Sequence, residues 1–210
     1  LEKETVPSAM IKPTFDTITK TVERISKIVE GLRSFSRETD ESETELVKLS
    51  QVVTATLTFC QEKFKSNGVS LEIEGDQEIW VDVNPQQIEQ VLLNLLNNAF
   101  YAVKEEKERR VVISADSEDQ VVRLRVTDSG AGIPKDVADR IFQPFFTTKP
   151  VGAGTGLGLG ISYGIAQRHG GQLYLDQTAK NTTFVLELEK SQRPDEEKLD
   201  SAQPKKANAA

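Results

Sequence analysis

The sequence predicts an α+β domain preceded by one long amphipathic helix, and three observations carry that prediction. Apolar residues recur at steps of three and four from Phe15 to Leu32. From Leu46 onward, short runs of alternating β-branched residues are interleaved with helix-length segments. Glycines gather at Asp128–Pro134 and Gly152–Gly160, where a chain must turn or let another group approach closely.

Taken in order, Phe15, Ile18, Val22, Ile25, Val29 and Leu32 form a heptad seam on a helix from about Met10 to about Glu38. Two readings fit it: an amphipathic helix packed on its own domain, or a dimerising helix of a bundle. The length of the seam and the charged linker Glu38 to Glu45 favour the bundle. Ser50 is expected to cap a helix that ends at Asn67-Gly68. Val69 to Glu74 and Ile79 to Val83 read as strands. Asn84 caps the next helix, with Pro85 at its first turn. Arg110–Ala115 and Val121–Thr127 are β-rich, and a helix runs from about Leu157 to Arg168, stopped by Gly170-Gly171. Leu173–Asp176 and Thr183–Leu188 close a hairpin, and the polar tail from Ser191 reads as disordered. The expected units are residues 1–40, 41–190 and 191–210.

Composition narrows the function. A chain of 210 residues with 37% hydrophobic content suits one or two domains. A net charge of −7 argues against a general nucleic-acid role. The one cysteine, Cys60, fits a reducing, cytoplasmic setting and reads as a small core residue. No apolar run approaches the ~18 residues of a membrane span, so no membrane contact is expected of this stretch. The chain opens without Met inside a helical pattern. A longer parent is therefore expected, with any sensor or membrane anchor upstream.

Four blocks carry the chemistry. In Asn94-Leu95-Leu96-Asn97-Asn98-Ala99, Asn94 and Asn98 share one helix face. An amide oxygen is a hard ligand suited to Mg²⁺ held with phosphate and water, although two solvent-facing asparagines would look the same. In Asp128-Ser129-Gly130-Ala131-Gly132-Ile133-Pro134 a carboxylate that can accept from an adenine amino group enters a glycine turn; a plain tight loop is the alternative. Phe142 to Lys149 reads either as a lid anchored by Phe145 and Phe146 with Lys149 reaching a phosphate, or as an apolar loop docked on the core. Gly152-Ala153-Gly154-Thr155-Gly156 leads straight into a helix, where free N–H groups and the helix dipole favour an anion. The run is neither a dinucleotide fingerprint nor a phosphate loop of the lysine-bearing kind.

These blocks resemble, in order and spacing, the N, G1, F and G2 boxes of sensor histidine kinases, within the wider family of ATPases that includes gyrase, Hsp90 and MutL. Phe145-Phe146-Thr147-Thr148-Lys149-Pro150 ahead of the glycines is most similar to the nitrogen-regulation and dicarboxylate-sensing branch. Arg24–Val29 and Leu32–Arg37 resemble the second helix of the dimerisation and phosphotransfer hairpin. The resemblance implies a two-layer α/β sandwich of Bergerat type, a mixed sheet covered by helices, with a mobile lid between Phe142 and Gly156. It implies ATP and Mg²⁺ as cofactors, with Asn98 holding the ion and Asn94 supporting the phosphates or metal-bound water. Asp128 would recognise adenine, helped by Gly130 and Gly132, and Thr182 would assist through water. Lys149 and the backbone of Gly154, Thr155, Gly156, Leu157 and Gly158 would face the phosphates.

Departures from the family pattern sharpen the reaction. Hydrolysing relatives place a glutamate four residues before the metal-binding asparagine; here that residue is Asn94, and an amide is no general base. Phosphoryl transfer is therefore favoured over hydrolysis. The acceptor histidine of the family has no counterpart: the only histidine, His169, sits at a helix end and reads as structural. The acceptor helix is expected upstream, which leaves this stretch unable to phosphorylate itself alone. Tyr101 stands where some relatives carry a phosphate-contacting lysine, with Lys104 as a substitute. The implied partners are a response regulator receiver domain, the protein's own hairpin and, in the parent, a second copy. A gyrase-type ATPase and a non-catalytic adaptor remain as the other classes.

Overall fold

A computed structural model of the chain describes residues 43–76, 78–150 and 154–192, together with residues 12, 14–16, 18–19, 21–22 and 25–26. Those isolated residues are helical and exposed, Phe15, Ile18, Val22 and Ile25 included. The rest of the seam helix, most of the charged linker, Gly152, Ala153 and the tail from Arg193 lie outside the described residues.

Strand β1 (Glu45–Lys48) leads into helix α1 (Leu49–Ser66), followed by β2 (Ser70–Gly75) and β3 (Trp80–Val83). Helix α2 (Pro85–Val103), β4 (Arg110–Glu118), β5 (Val121–Asp128) and the short α3 (Lys135–Ala138) come next. Helix α4 (Gly158–Arg168) and strands β6 (Gln172–Leu175) and β7 (Thr182–Glu189) complete the order. Five strands form one mixed sheet in the order β2-β4-β5-β7-β6, with β2 parallel to β4 and every other neighbour antiparallel. β1 and β3 pair separately.

The sheet is two-faced because its strands alternate. Val122, Leu124 and Val126 of β5 are buried and point to the helices, while Arg123 and Arg125 between them point away. On that outer face Arg123 donates to Glu187 at 2.9 Å and to Glu118 at 3.1 Å, Tyr174 donates to Glu187, and Arg125 pairs with Asp116. This polar face needs no further cover, so the domain is two layers, as expected from the resemblance. The helical layer supplies the core's other half through Val52, Cys60 and Phe64 of α1, Leu92, Leu95 and Leu96 of α2, and Ile165 of α4.

Two local expectations are corrected, and one strand is added. Ser50 is not the cap of α1: the helix begins at Leu49, and the cap position is Lys48, without a side-chain cap. Leu49 decides the start, because its side chain is buried and its N–H donates to Ile79 O at 2.9 Å. β1, which the sequence did not announce, begins at Glu45 where the charged linker ends and is stabilised by pairing with β3. The tail does not leave the domain at Ser191, whose N–H donates to Trp80 O in an isolated bridge. Asn84 caps α2 as its sequence says, its side chain accepting from Gln87 N at 3.0 Å.

Candidate nucleotide site

The site grows from the polar side of α2. Ile88, Val91, Leu92, Leu95, Leu96, Ala99 and Val103 make its buried stripe. Asn94, Asn97, Asn98 and Tyr101 are left half-buried on the helix flank. Asn94 Nδ2 donates to Gly158 O at 3.2 Å and to Ser162 Oγ at 3.1 Å, which ties α2 to the first turn of α4. A Cβ on Gly158 would stand 3.3 Å from Asn94 Oδ1, so the two helices meet closely there. Asn98 Oδ1 accepts from Lys149 Nζ at 2.7 Å, and that ammonium also sits 4.7 Å from the Tyr101 ring centroid. Burial, and then the charge of Lys63, lower the Lys149 pKa.

Asp128 ends β5 in phase with Val122, Leu124 and Val126, and so its carboxylate falls on the helix-facing side, only 4% exposed. It accepts from Gly130 N at 2.9 Å and from the Thr182 side chain, its partner across β5 and β7. Burial pushes its pKa up to about 6, partly offset by those two donors. A Cβ on Gly130 would come within 2.7 Å of Asp128 Oδ1. Gly132 has φ +88° with open space beside it, a conformation suited to glycine. Thr182 thus touches Asp128 directly.

The loop from Asp139 to Leu157 divides its aromatics. Phe142 and Phe146 pack against the core, with Phe142 near Phe184 and Tyr163. Phe145 is 56% exposed and has φ 66°. A Cβ on Gly156, φ +70°, would lie 2.4 Å from the Phe145 carbonyl carbon, so the loop crosses itself at a point only glycine fits. Lys149 N donates to Thr147 Oγ1 at 3.1 Å, and Leu157 N donates to Thr155 Oγ1 at 3.3 Å. Leu157 buries its side chain in the core and its carbonyl accepts from Ile161 N, so a ligand can reach only its N–H, in exchange for Thr155 Oγ1. Gly154 lies against Thr147 and Lys149.

Asn94, Asn98, Lys149, Gly154, Thr155, Gly156 and Gly158 therefore meet between α2, the loop and the start of α4, while Asp128, Gly130, Gly132 and Thr182 gather at the end of β5. His169 belongs to neither group. Its Nδ1 bonds Ile165 O at 3.0 Å and its Nε2 accepts from Asn84 N at 3.1 Å, so α4 is latched to the start of α2. Lys104 lies 4.8 Å from the Tyr101 ring centroid and pairs with Glu105. Sequence reasoning passed over Lys63, which donates to Asn97 Oδ1 at 2.8 Å.

Fold and site together define a class: a two-layer sandwich in which an asparagine-bearing helix faces a buried strand-end carboxylate and a glycine loop. Residues 83–192 match the family of histidine kinase-, DNA gyrase B- and HSP90-like ATPases, and the chain belongs to that family. Membership carries ATP as the nucleotide. The chain is 36% identical over 191 residues to the sensor kinase CckA of Brucella abortus, covering 84% of this chain and 20% of that protein. It is 30% identical over 178 residues to the C4-dicarboxylate transport sensor protein DctB of Rhizobium meliloti, covering 84% of this chain and 28% of that protein. The chain thus spans well under half the length of these relatives. Among solved structures, the catalytic domain of the histidine kinase ThkA matches at 30% identity with a TM-score of 0.63, over 70% of this chain and 96% of that one. The same kinase in complex with the response regulator TrrA matches at 26% identity with a TM-score of 0.71, over 90% of this chain and 54% of that one. The resemblance drawn from the four blocks is borne out, with a dicarboxylate sensor among the relatives.

Proposed function

We propose that this chain is the ATP-binding kinase domain of a sensor histidine kinase. It holds Mg-ATP and passes the γ-phosphate to a histidine on a hairpin helix outside this chain, for relay to an aspartate of a response regulator. The observation that carries this reading over hydrolysis is Asn94. It stands one helical turn before Asn98, and its Nδ2 is committed to Gly158 and Ser162. An amide so placed cannot take a proton from water. His169 does not supply the acceptor either, since both ring nitrogens are engaged inside the fold.

Catalysis by such a domain is positioning and charge stabilisation. Asp128 accepts from the adenine amino group, and the bare backbone at Gly130 and Gly132 lets the ring lie close. Thr182 holds the carboxylate in place. Lys149 and the N–H groups from Gly154 to Gly158, at the start of α4, meet the phosphates. Asn98 Oδ1 has two lone pairs and Lys149 uses one, so an oxygen position is open to Mg²⁺. No group of three or more His, Cys, Asp or Glu suited to a metal occurs among the described residues. Phosphate oxygens and water would thus complete the ion's shell, and when bound the ion neutralises phosphate charge. The reading places the domain in the cytoplasm of a dimeric parent. No helix among the described residues is long and apolar enough to cross a membrane. The ThkA–TrrA complex supports a receiver domain as partner.

The test is to mix the chain with a separately made hairpin bearing the acceptor histidine and with γ-labelled Mg-ATP. Acid-labile label on the hairpin with slow phosphate release is expected. Rapid phosphate release without transfer would replace the kinase reading with a gyrase-type ATPase.

A further inference from the structure

The flank of α2 holds two ammonium groups. Lys63 reaches across from the last turns of α1, its Nζ 2.8 Å from Asn97 Oδ1 and 4.3 Å from the Phe100 ring centroid. Lys149 arrives from the loop, its Nζ 2.7 Å from Asn98 Oδ1 and 4.7 Å from the Tyr101 ring centroid. Adjacent asparagines and adjacent rings of one helix thus receive two cations.

Neither cation has a carboxylate within ion-pair distance among the described residues; the ion pairs there involve Lys48, Lys104, Arg110, Arg123 and Arg125. Amide oxygens and ring faces offer partial negative charge and no net charge. A like-charge pair held without a counter-charge in an acidic protein is relieved by an anion that brings more than one negative charge. Lys63 is an exposed residue, open to such an anion.

We propose that Lys63 is a second phosphate-binding cation of the nucleotide site, which with Lys149 clamps the outer phosphates of ATP and sets the preference for triphosphate over monophosphate. This rests on the kinase reading for the identity of the nucleotide. The chemistry of the clamp, two ammonium groups on one oligophosphate, does not depend on adenine. Lys63 also stands in for the lysine that Tyr101 replaces.

The experiment compares the full chain with Lys63→Gln and Lys63→Arg by calorimetry, using Mg-ATP, AMP and inorganic tripolyphosphate at low salt. Loss of one charge-assisted contact in Lys63→Gln should weaken ATP and tripolyphosphate about tenfold and leave AMP within about twofold. Lys63→Arg should recover most of the loss, and added salt should shrink the difference. Unchanged ATP and tripolyphosphate affinity in Lys63→Gln overturns the proposal. So does a parallel loss of AMP with a lowered apo Tm, which would make Lys63 a tether of α1 to α2. If the unsubstituted chain binds tripolyphosphate through Lys63 but no adenine nucleotide, the clamp stands and the kinase reading falls. If nucleotides bind normally and Lys63→Gln changes nothing, the reading stands and the clamp falls.

Discussion

The two ends of the cleft are held in different ways. At the Asp128 end, geometry comes from the sheet: the register of β5 against β7 sets Thr182 opposite Asp128, and strand alternation turns the carboxylate inward. At the Lys149 end, the lysine itself sits on a loop and not on a strand or helix. Its position depends on Asn98, on Thr147 and on the crossing of Gly156 over Phe145. Contacts of the first kind persist with or without a ligand, while those of the second can be exchanged for phosphate oxygens. One end is built for selection and the other for capture.

The comparison can be broken at either end. The largest effect is expected for Asp128→Asn, which removes a charged acceptor. Affinity for ATP and for adenosine should both fall about a hundredfold, the cost of a hydrogen bond to a charged group. Equal calorimetric affinity in the variant would remove adenine from this end. Gly156→Ala should follow. Its Cβ would meet backbone at 2.4 Å and its φ of +70° disfavours any side chain, so the loop must shift. ATP should weaken about tenfold, while adenosine should bind as before; parallel losses would mean that the two ends are not separable.

The pH response sharpens the contrast. The Asp128 pKa is raised to about 6, so the folded state keeps this proton where the unfolded chain has lost it. Its contribution to stability is present at low pH and is lost as pH rises from the ordinary carboxylate range through about 6. Adenine needs the ionised form as acceptor, so adenosine affinity should fall as pH drops below about 6 while this group's share of apo stability rises. Both trends should vanish in Asp128→Asn; their persistence would assign them to other groups. The smallest effect is expected for His169→Ala, far from either end. Losing the bridge from Ile165 O to Asn84 N should lower stability by about 1 kcal/mol, read from the urea midpoint, with ATP affinity unchanged.

How much of this was legible depended on the reach of each interaction. The Asn84-Pro85 start of α2 and its buried stripe are local patterns, and they formed where the sequence placed them. The hairpin of β6 and β7 followed for the same reason. β1 was hidden because four residues, Glu45–Lys48, carry no period of their own and become a strand by pairing with Trp80–Val83. Ser50 has the chemistry of a cap, yet the burial of Leu49 puts the helix start ahead of it. In the site, the residue types of the four blocks pointed to the right neighbourhood. The bonds from Lys63 to Asn97 and from His169 to Asn84 were not legible, because they join distant segments and leave no spacing in the chain.

The parallel pairing of β2 with β4 bears on the order in which the chain folds. β4 and β5 form a tight hairpin, and β6 with β7 another, so each can close over a short loop. β2 reaches β4 only after β3 and all of α2 have been laid across the gap, and the entropy of that closure falls before any contact repays it. The edge strand therefore joins late. Leu71→Ala should accelerate unfolding and leave the refolding rate nearly unchanged in stopped-flow measurements, so this margin of the sheet is where the domain first comes apart.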